Sequence, residues 1–351
     1  MAQSEGSCRQ TFFVSKAADA FYDSGKLYHI DGQHELAIQD YTEAIRLDPQ
    51  YAIAYRGRGV VYSDLGQHQR SIQDYDEAIR LNPQYANAYY TRGYAYYDLG
   101  QYERAIEDYD EAITLDPQLA LAYLNRGSAY DDLGQYERAI EDYDEAICLN
   151  PQDAGFYHDR AFSYFNLDQH ERAREDFNEA IRLNPQGAIA YHDRGSMYLR
   201  LGQCELAIQD YEEAIRLDPQ YATAYNDRGL AYRALGQYEL AIQDYDEAIR
   251  LNPQYANAYN NKGAAYSFLD QFERAIENYN EAIRLNPQSA EAYYNRGLAF
   301  YRLGPSAHEP AREDYQEAVR LDPQYAGDYY EEGPLLKGTV IPPTSQQPYK
   351  P

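Results

Sequence analysis

The sequence predicts an all-α fold in which tandem helical hairpins stack into a solenoid. Proline recurs every 34 residues from Pro49 to Pro287 and once more at Pro323, each time inside an Asp/Asn-Pro-Gln triplet. The composition points the same way, with 41 Tyr against 10 Phe and no Trp among 351 residues, a skew typical of a short unit copied many times. Large and small apolar residues recur at three- and four-residue spacing within each copy, which indicates helices.

Placing each proline at position 32 of a repeat divides the chain into nine repeats: 18–51, 52–85, 86–119, 120–153, 154–187, 188–221, 222–255, 256–289 and 290–325. Positions 4, 8 and 11 share one face of a first helix, and positions 20, 24 and 27 share one face of a second. Leu-Gly at positions 14 and 15 predicts the end of the first helix, because Gly readily adopts left-handed backbone. Asp/Asn-Pro at positions 31 and 32 predicts the N-cap and the first residue of the next helix. One hairpin cannot bury both its faces, so neighbouring repeats complete the core.

The two ends of the chain lie outside this register. Residues 1–17 are expected to be partly disordered, and they show no basic start or apolar run of a secretory signal. Residues 326–333 are expected to form a short helix that caps the last repeat. The Pro-rich residues 334–351 are expected to be a disordered tail. Its last four residues, PYKP, fit the spacing of polyproline ligands, and a simple solvated tail is the alternative.

Charge and composition exclude several classes of protein. Lys and Arg total 31 against 57 Asp and Glu, so the formal net charge is −26. This balance argues against nucleic acid as the main partner, since phosphate binding needs a basic surface. No apolar run approaches the length of a membrane span. Three cysteines among 351 residues do not make a disulfide framework, and we expect a cytoplasmic location.

The repeats resemble those of the tetratricopeptide repeat family over residues 18–325. Residues 122–151, AYLNRGSAYDDLGQYERAIEDYDEAICLNP, carry the family pattern of Gly/Ala at position 8, Tyr at 11, Ala at 20, an aromatic residue at 24, Ala at 27 and Pro at 32. Two residues depart from it, because Tyr123 stands for the customary Trp and Arg126 for Leu. The resemblance implies a right-handed superhelix whose first helices line a concave groove that binds peptides or partner helices.

Position 7 is basic in repeats 2 to 9, where Arg occurs seven times and Lys262 once. Position 7 shares a helical face with the Tyr residues at positions 4 and 11. One interpretation is structural: the guanidinium stacks on these rings and reaches the Asp at position 23. The alternative is a ladder of basic side chains that binds an acidic or phosphorylated ligand.

The sequence predicts no catalytic site, cofactor or metal. It contains no Gly-rich phosphate loop, GxSxG elbow or HExxH motif. His158 and His192 both occupy position 5 of adjacent repeats, but packed helices are about 8–10 Å apart, too far for a shared zinc ion. His34, His68 and His170 occupy position 17, where other repeats have Tyr, Phe or Cys, and are interpreted as packing residues.

The groove implied by the resemblance is lined by positions 2, 5, 6, 9, 12 and 13 of the first helices. Apolar residues concentrate there in repeats 3 to 5, and ordinary packing between neighbouring first helices is the alternative interpretation of them. Positions 12 and 13 include Asp in repeats 2 to 4 and Arg in repeats 6, 7 and 9. The candidate binding residues are Tyr90, Tyr94, Tyr97, Leu121, Leu124, Asp131, Phe162, Phe165, Arg200 and Arg233. Charges of opposite sign along the groove would fix the direction of a ligand.

Two functions follow from these observations. The preferred one is a non-catalytic scaffold that binds peptide segments or helices of other proteins, including basic ones. The alternative is a regulatory or targeting subunit of an enzyme carried on a separate chain. The family's clamp for the terminal carboxylate of chaperone tails is not expected, because position 6 is never basic and position 2 never holds Lys or Arg.

Overall fold

The computed structural model describes the backbone of residues 2–330 and 333–334 and the side chains of residues 16–326. The chain divides into two compact halves, Met1–Leu183 and Asn184–Pro351. The first half contains α1 (Ala2–Ile30), α2 (His34–Leu47), α3 (Ala52–Asp64), α4 (His68–Leu81), α5 (Ala86–Asp98), α6 (Tyr102–Leu115), α7 (Ala120–Asp132), α8 (Tyr136–Leu149), α9 (Ala154–Asn166) and α10 (His170–Leu183).

The second half contains eight further α-helices within its described residues. They are α11 (Ala188–Arg200), α12 (Cys204–Leu217), α13 (Ala222–Ala234), α14 (Tyr238–Leu251), α15 (Ala256–Phe268), α16 (Phe272–Leu285), α17 (Ala290–Leu303) and α18 (His308–Leu321). Two 3-10 helices cover Pro305–Ala307 and Pro323–Asp328, and two short antiparallel strands follow, β1 (Tyr329–Tyr330) and β2 (Gly333–Pro334). Each of the nine repeats therefore forms the predicted pair of helices. No helix among the described residues is both long and apolar enough to cross a membrane.

Both ends differ from the prediction. Helix α1 starts at Ala2, so residues 2–17 extend the first helix instead of being partly disordered; this stretch has no proline to end a helix. The expected capping helix over 326–333 is replaced by a 3-10 turn that ends at Asp328 and by the pairing of β1 with β2. The rest of the predicted tail, 335–351, lies outside the described residues.

The aromatic residue at position 24 fills the core of each hairpin against the small residue at position 8. Tyr109 of α6 is fully buried, and a Cβ added at Gly93 of α5 would lie 2.8 Å from its ring. That distance is shorter than any real Cβ contact, so only Gly allows the two helices to approach this closely. Tyr96 and Ala105 complete this cluster, and burial of such large rings is the main stabilising contribution.

The predicted turn within each repeat is confirmed. Gly100 ends α5 with φ of 69°, and its N–H donates to the Tyr97 carbonyl at 2.8 Å. Repeats 5 and 8 have Asp168 and Asp270 at the same position, with φ of 57° and 56°. Asp is among the few side chains that tolerate this conformation.

The Asp/Asn-Pro pairs act differently from the prediction, because they close the second helix instead of starting the next one. Asp116 is the C-cap of α6, with φ of −139° and ψ of 89°. A residue before proline favours such extended backbone, so the helix ends there. The Asp116 carboxylate then accepts a hydrogen bond from the Gln118 N–H at 3.1 Å. The N-cap of α7 is Leu119, whose side chain makes no capping hydrogen bond.

Candidate functional site

The groove face is defined here as the surface formed by positions 2, 5, 6, 9, 12 and 13 of the first helices. In the first half these helices are α1, α3, α5, α7 and α9, and each of α3, α5 and α7 directly contacts the next first helix. Side chains from successive repeats therefore form one surface within this half. Eight of the ten predicted binding residues lie on it, on α5, α7 and α9.

Tyr94 and Leu121 are the most exposed of these eight residues. Each has 46% of its surface exposed, so both can contact a ligand without a change in the fold. Tyr94 and Tyr97 of α5 line a recess of about 70 Å³ together with Asn125 and Ser128 of α7. The recess has room for a small side chain, and polar groups line its α7 side. A ligand segment lying on this face would meet an apolar ring beside hydrogen-bonding groups.

The potential around Tyr94 is negative. Asp98, burial and Asp64, in that order, raise the pKa of the Tyr94 hydroxyl. Burial also raises the pKa of Asp98 itself, although nearby His68 opposes this effect. The exposed ring thus lies beside carboxylates on α3 and α5, an arrangement that favours a positively charged group near an apolar one.

Tyr90, Tyr97 and Leu124 are half-buried and also hold neighbouring helices together. The Tyr97 hydroxyl donates to Asp132 Oδ2 at 2.7 Å, and the Asn125 amide donates to the Tyr90 hydroxyl at 3.2 Å. Both contacts join α5 to α7. Leu124 packs against the core cluster of α7 and α8. These three residues contribute to packing and present only part of their surface to a ligand.

Phe162 is half-buried as well, because it packs edge-on against Phe177 of α10 with ring centroids 5.4 Å apart. The ring centroid of His158 lies 5.0 Å from that of Phe162. Phe165 is only 8% exposed, so its prediction as a ligand contact is corrected. Its ring packs beside His170 at 5.3 Å, which makes it part of the hairpin core at the start of α10.

The prediction of Asp131 as a ligand contact is also corrected, because its carboxylate points into the protein. It accepts hydrogen bonds from Ser163 of α9 at 2.7 Å and from the Tyr143 hydroxyl at 2.9 Å. Burial raises the pKa of Asp131 to about 6, although both hydrogen bonds oppose the shift. Sequence reasoning missed this contact, yet repeat 4 alone has Asp at position 12 and repeat 5 alone has Ser at position 10.

Arg200 and Arg233 lie on the groove face of the second half, Arg200 exposed at the end of α11 and Arg233 half-buried on α13. The charge of Arg233 lowers the pKa of the buried Tyr245, whose overall shift is upward because of burial. The predicted alternation of charge along the whole groove involves both halves and stays a prediction.

The groove face of the second half is polar at positions 5 and 6. His192 is fully buried, with its two ring nitrogens 2.8 Å from Asp193 Oδ1 and 3.0 Å from Asp227 Oδ2. Burial disfavours its charged form, but the two carboxylates prevail and raise the pKa of His192 to about 9. Asp227 in turn accepts a hydrogen bond from Asn226 at 2.9 Å. His192 is therefore a charged structural residue bound between two carboxylates.

The basic residues at position 7 form ion pairs within the fold. Arg126 donates from Nε and Nη2 to the two carboxylate oxygens of Asp142, at 2.8 and 2.6 Å. Its Nη1 donates to Asp110 of the preceding repeat. The Tyr123 ring is farther away, with its centroid 5.7 Å from the guanidinium carbon. The same two-bond pair occurs in Arg58–Asp74, Arg92–Asp108, Arg160–Asp176, Arg194–Asp210, Arg228–Asp244 and Arg296–Asp314.

These pairs favour the structural interpretation of position 7. Asp142 is 5% exposed, and the side chain of Arg126 is 18% exposed, so the charges are largely withdrawn from solvent. Burial raises the pKa of the Asp142 carboxyl, and Arg126 opposes that shift. A guanidinium that already makes three hydrogen bonds to two carboxylates has little capacity left for a ligand.

A cluster of potential metal ligands lies where α1, α2 and α3 meet, with two of its three residues on the groove face of the first half. His29, His34 and Asp64 each offer one ligand atom, and these atoms lie within 4.8 Å of one another. Sequence reasoning considered His158 and His192 instead, which form separate contacts with neighbouring carboxylates. The sequence feature that could have indicated this cluster is the combination of His at positions 12 and 17 of one repeat with Asp at position 13 of the next repeat.

Sequence profiles of known families match most of the chain. A profile described as TPR repeat matches residues 25–66, 61–100, 93–133, 195–233, 229–267 and 269–304. Profiles described as tetratricopeptide repeat match residues 120–153, 154–186 and 290–325. No curated protein sequence gives a significant match.

Solved structures share the fold. A tetratricopeptide repeat protein from Parabacteroides merdae ATCC 43184 is 20% identical, with 70% of this chain and 94% of that one covered and a TM-score of 0.55. The APC/C hetero-tetramer Cut9-Hcn1 is 16% identical over 89% of this chain and 75% of that one, also with a TM-score of 0.55. YrrB, described as a TPR protein with an unusual peptide-binding site, is 23% identical over 52% and 95%, with a TM-score of 0.43. The first two confirm the predicted fold class, an α-solenoid of helical hairpins.

Proposed function

Because the chain belongs to the tetratricopeptide repeat family, we propose that it is a non-catalytic scaffold that binds peptide segments or helices of partner proteins on its groove face. The family is one of protein-interaction modules and is generally non-catalytic. The proposal extends to a cytoplasmic location. It takes Tyr94 and Leu121 as the main contacts in the first half, with Tyr90, Tyr97, Leu124 and Phe162 as partial ones.

The exposed ring of Tyr94 beside the recess is the observation on which the proposal depends. Burying an exposed aromatic ring against a ligand removes a large apolar area from water, and binding hot spots favour such rings in partly enclosed sites. The neighbouring Asn125 and Ser128 line the recess and can hydrogen-bond the backbone of a ligand. Leu121, on the first turn of α7, is a second exposed apolar side chain on the same face.

The charge of the chain favours basic ligands. Its net charge of −26 attracts cationic partners and raises their association rate at low salt. The negative potential at Tyr94 acts locally in the same direction. We therefore propose a ligand segment that carries Lys or Arg next to an apolar side chain.

Site-specific photo-crosslinking tests the proposal. A photoreactive phenylalanine analogue replaces Tyr94 in one sample and Glu107, an exposed residue of α6, in the other. After irradiation in a lysate of the source cells, mass spectrometry identifies the crosslinked peptides. We expect saturable crosslinks from position 94 to segments with Lys or Arg, which an excess of unlabelled protein suppresses. Crosslinks from position 107 alone would place the partner on the second helices and contradict the proposal. A single enzyme recovered at one-to-one stoichiometry would favour the regulatory-subunit alternative.

A further inference from the structure

Three side chains with metal-binding atoms converge where the first hairpin meets α3. His29 lies in the last turn of α1, His34 is the first residue of α2, and Asp64 is the last residue of α3. Their ligand atoms lie within 4.8 Å of one another, and His29 Nε2 is 2.6 Å from Asp64 Oδ2. We propose that this cluster binds one divalent transition-metal ion of the Zn²⁺ type, which fastens α1 and α2 to α3.

The spacing of the three atoms suits a shared ion after small side-chain movements. Nitrogen and oxygen ligands lie about 2.0–2.2 Å from zinc, so two of them in a tetrahedral site are about 3.4 Å apart. The observed 2.6 Å between His29 and Asp64 and the limit of 4.8 Å for the cluster bracket that value. The side chains of His29 and Asp64 are 25% and 46% exposed. They can therefore rotate, and water can complete the coordination.

The ligand types select the ion. Two imidazoles and one carboxylate suit zinc and its neighbours in the first transition row, whereas Mg²⁺ and Ca²⁺ prefer oxygen ligands alone. The buried Nδ1 of His34 makes no hydrogen bond within the described part of the chain, as is also true of His68 and His170 at the same position, so the site depends on His29 as the second imidazole. The carbonyl end of α1, which carries partial negative charge, also favours a cation near His29.

The next repeat provides a natural comparison with two of the three ligands. His68 and Asp98 occupy the same positions as His34 and Asp64, and His68 Nδ1 is 3.9 Å from Asp98 Oδ2. Position 12 there is Ser63 instead of His. One imidazole and one carboxylate bind zinc weakly, so the additional imidazole of His29 distinguishes the proposed site from its neighbour.

The bound ion would change stability because its ligands come from three helices. An ion that binds only the folded state adds stability that grows with its concentration above Kd. The ion would replace the hydrogen bond between His29 and Asp64, so both side chains must reorient to bind it. His29 and Asp64 occupy positions 12 and 13 of the groove face, and Asp64 contributes to the negative potential at Tyr94, so a bound ion would reduce that potential. Titration with the metal alone tests the site separately from the proposed scaffold function.

Titration with Zn²⁺ alone tests the site. The full chain, with any histidine tag removed, is titrated by calorimetry and by competition against a chromogenic chelator. We expect one tight ion per chain and a rise in the melting temperature of the first half. His29→Gln and Asp64→Asn should each weaken binding at least about tenfold, the scale expected for disturbing a metal centre. His68→Gln, the matched control, should leave the affinity unchanged.

Two further measurements keep the test decisive. Circular dichroism without zinc should show equal helix content for the wild type and the exposed-site variant Asp64→Asn, so that lost binding is not lost folding. Bound Co²⁺ should give the visible absorption of a low-coordinate nitrogen and oxygen site. Absence of one-to-one binding, or equal affinity of the wild type and His29→Gln, would overturn the proposal. Equal losses in His29→Gln and His68→Gln would also overturn it, because they would indicate scattered surface binding.

Discussion

Lys262 and Asn278 replace, within one repeat, the Arg and Asp that pair with each other in seven other repeats. Lys262 Nζ instead lies 2.6 Å from Asp246 of the preceding repeat, and the Asn278 amide donates to the Arg274 carbonyl at 2.8 Å. A buried carboxylate needs the two-pronged donor of Arg to satisfy both its oxygens. In repeat 8 Lys262 stands in place of this Arg, and the neutral Asn278 stands in place of the carboxylate, so no two-pronged donor is needed there. The paired replacement indicates that positions 7 and 23 act as one structural unit.

Removing Arg126 should therefore cost more than the loss of a stacked guanidinium, which contributes about 1 kcal/mol. Arg126→Ala leaves Asp142 as an unpaired, 5% exposed carboxylate, and breaking such a pair costs about 3 kcal/mol in unfolding free energy. Urea unfolding followed by circular dichroism measures the loss. The double variant Arg126→Ala with Asp142→Asn should recover part of it, because no charge is left buried.

Arg80→Ala is the matched control for this prediction. Arg80 also forms a two-bond pair, with Glu77 at 2.8 and 2.6 Å, but it is exposed on the second helix and should contribute little. Equal destabilisation by Arg80→Ala and Arg126→Ala would show that burial of the Asp142 pair is unimportant. Lost partner binding without lost stability in Arg126→Ala would favour the basic ladder instead.

The repeat pattern predicts the helices, their turns and the Arg–Asp contact, because these features depend on residues shared by every repeat. It does not predict which groove residues are buried. Asp131 and Phe165 both occupy position 12, yet neither side chain is available to a ligand. Asp131 is held by Ser163 and Phe165 packs against His170, and these partners differ from repeat to repeat. The Asp/Asn-Pro pairs were misassigned for a related reason: Asp favours both helix ends and turns, and only the backbone of Asp116 decides between them.

Stability of the second half should fall in mild alkali because of His192. The pKa of His192 is raised from 6.5 to about 9 by Asp193 and Asp227, so its charged form stabilises the folded state. That contribution is complete below about pH 6.5 and is lost as the pH rises to about 9, with a total of about 3 kcal/mol. NMR titration of the imidazole gives the pKa directly. His192→Gln should remove this part of the pH dependence, and a measured pKa near 6.5 would contradict the prediction.

Asp131 should also make the stability of the first half fall as the pH rises, over a more acidic range than His192. Its pKa is raised from 3.8 to about 6, so the folded state holds a proton that the unfolded state has lost. Ionisation of Asp131 thus destabilises the fold above about pH 6, and acidification towards pH 4 relieves a cost of up to about 3 kcal/mol. Asp131→Asn removes the charge, keeps one acceptor oxygen for one of the two hydroxyls, and places an amide N–H beside the other hydroxyl, which can accept from it. It should raise stability at pH 8 and match the wild type near pH 4; a loss of stability at pH 8 would show that the carboxylate is needed.

The groove face of the first half should supply most of the binding energy for a partner. Phe162 is unsuitable for a test, because its contact with Phe177 makes Phe162→Ala a core substitution. Tyr94 and Leu121 are each 46% exposed, so Tyr94→Ala with Leu121→Ala should leave the melting temperature nearly unchanged. We expect this pair to weaken binding of the crosslinked partner more than about tenfold, or about 1.4 kcal/mol. Calorimetry with the partner segment measures the change.

The control pair is Glu107→Ala with Glu141→Ala, two exposed acidic residues on α6 and α8. These charges lie on the second helices, so their loss should reduce the association rate and its salt dependence while changing affinity little. Rate measurements at low and high salt separate the two effects, since screening acts on long-range attraction more than on buried contacts. If the acidic pair abolishes binding and the pair at Tyr94 and Leu121 leaves it intact, the partner occupies the second helices, and the groove face is not the binding site.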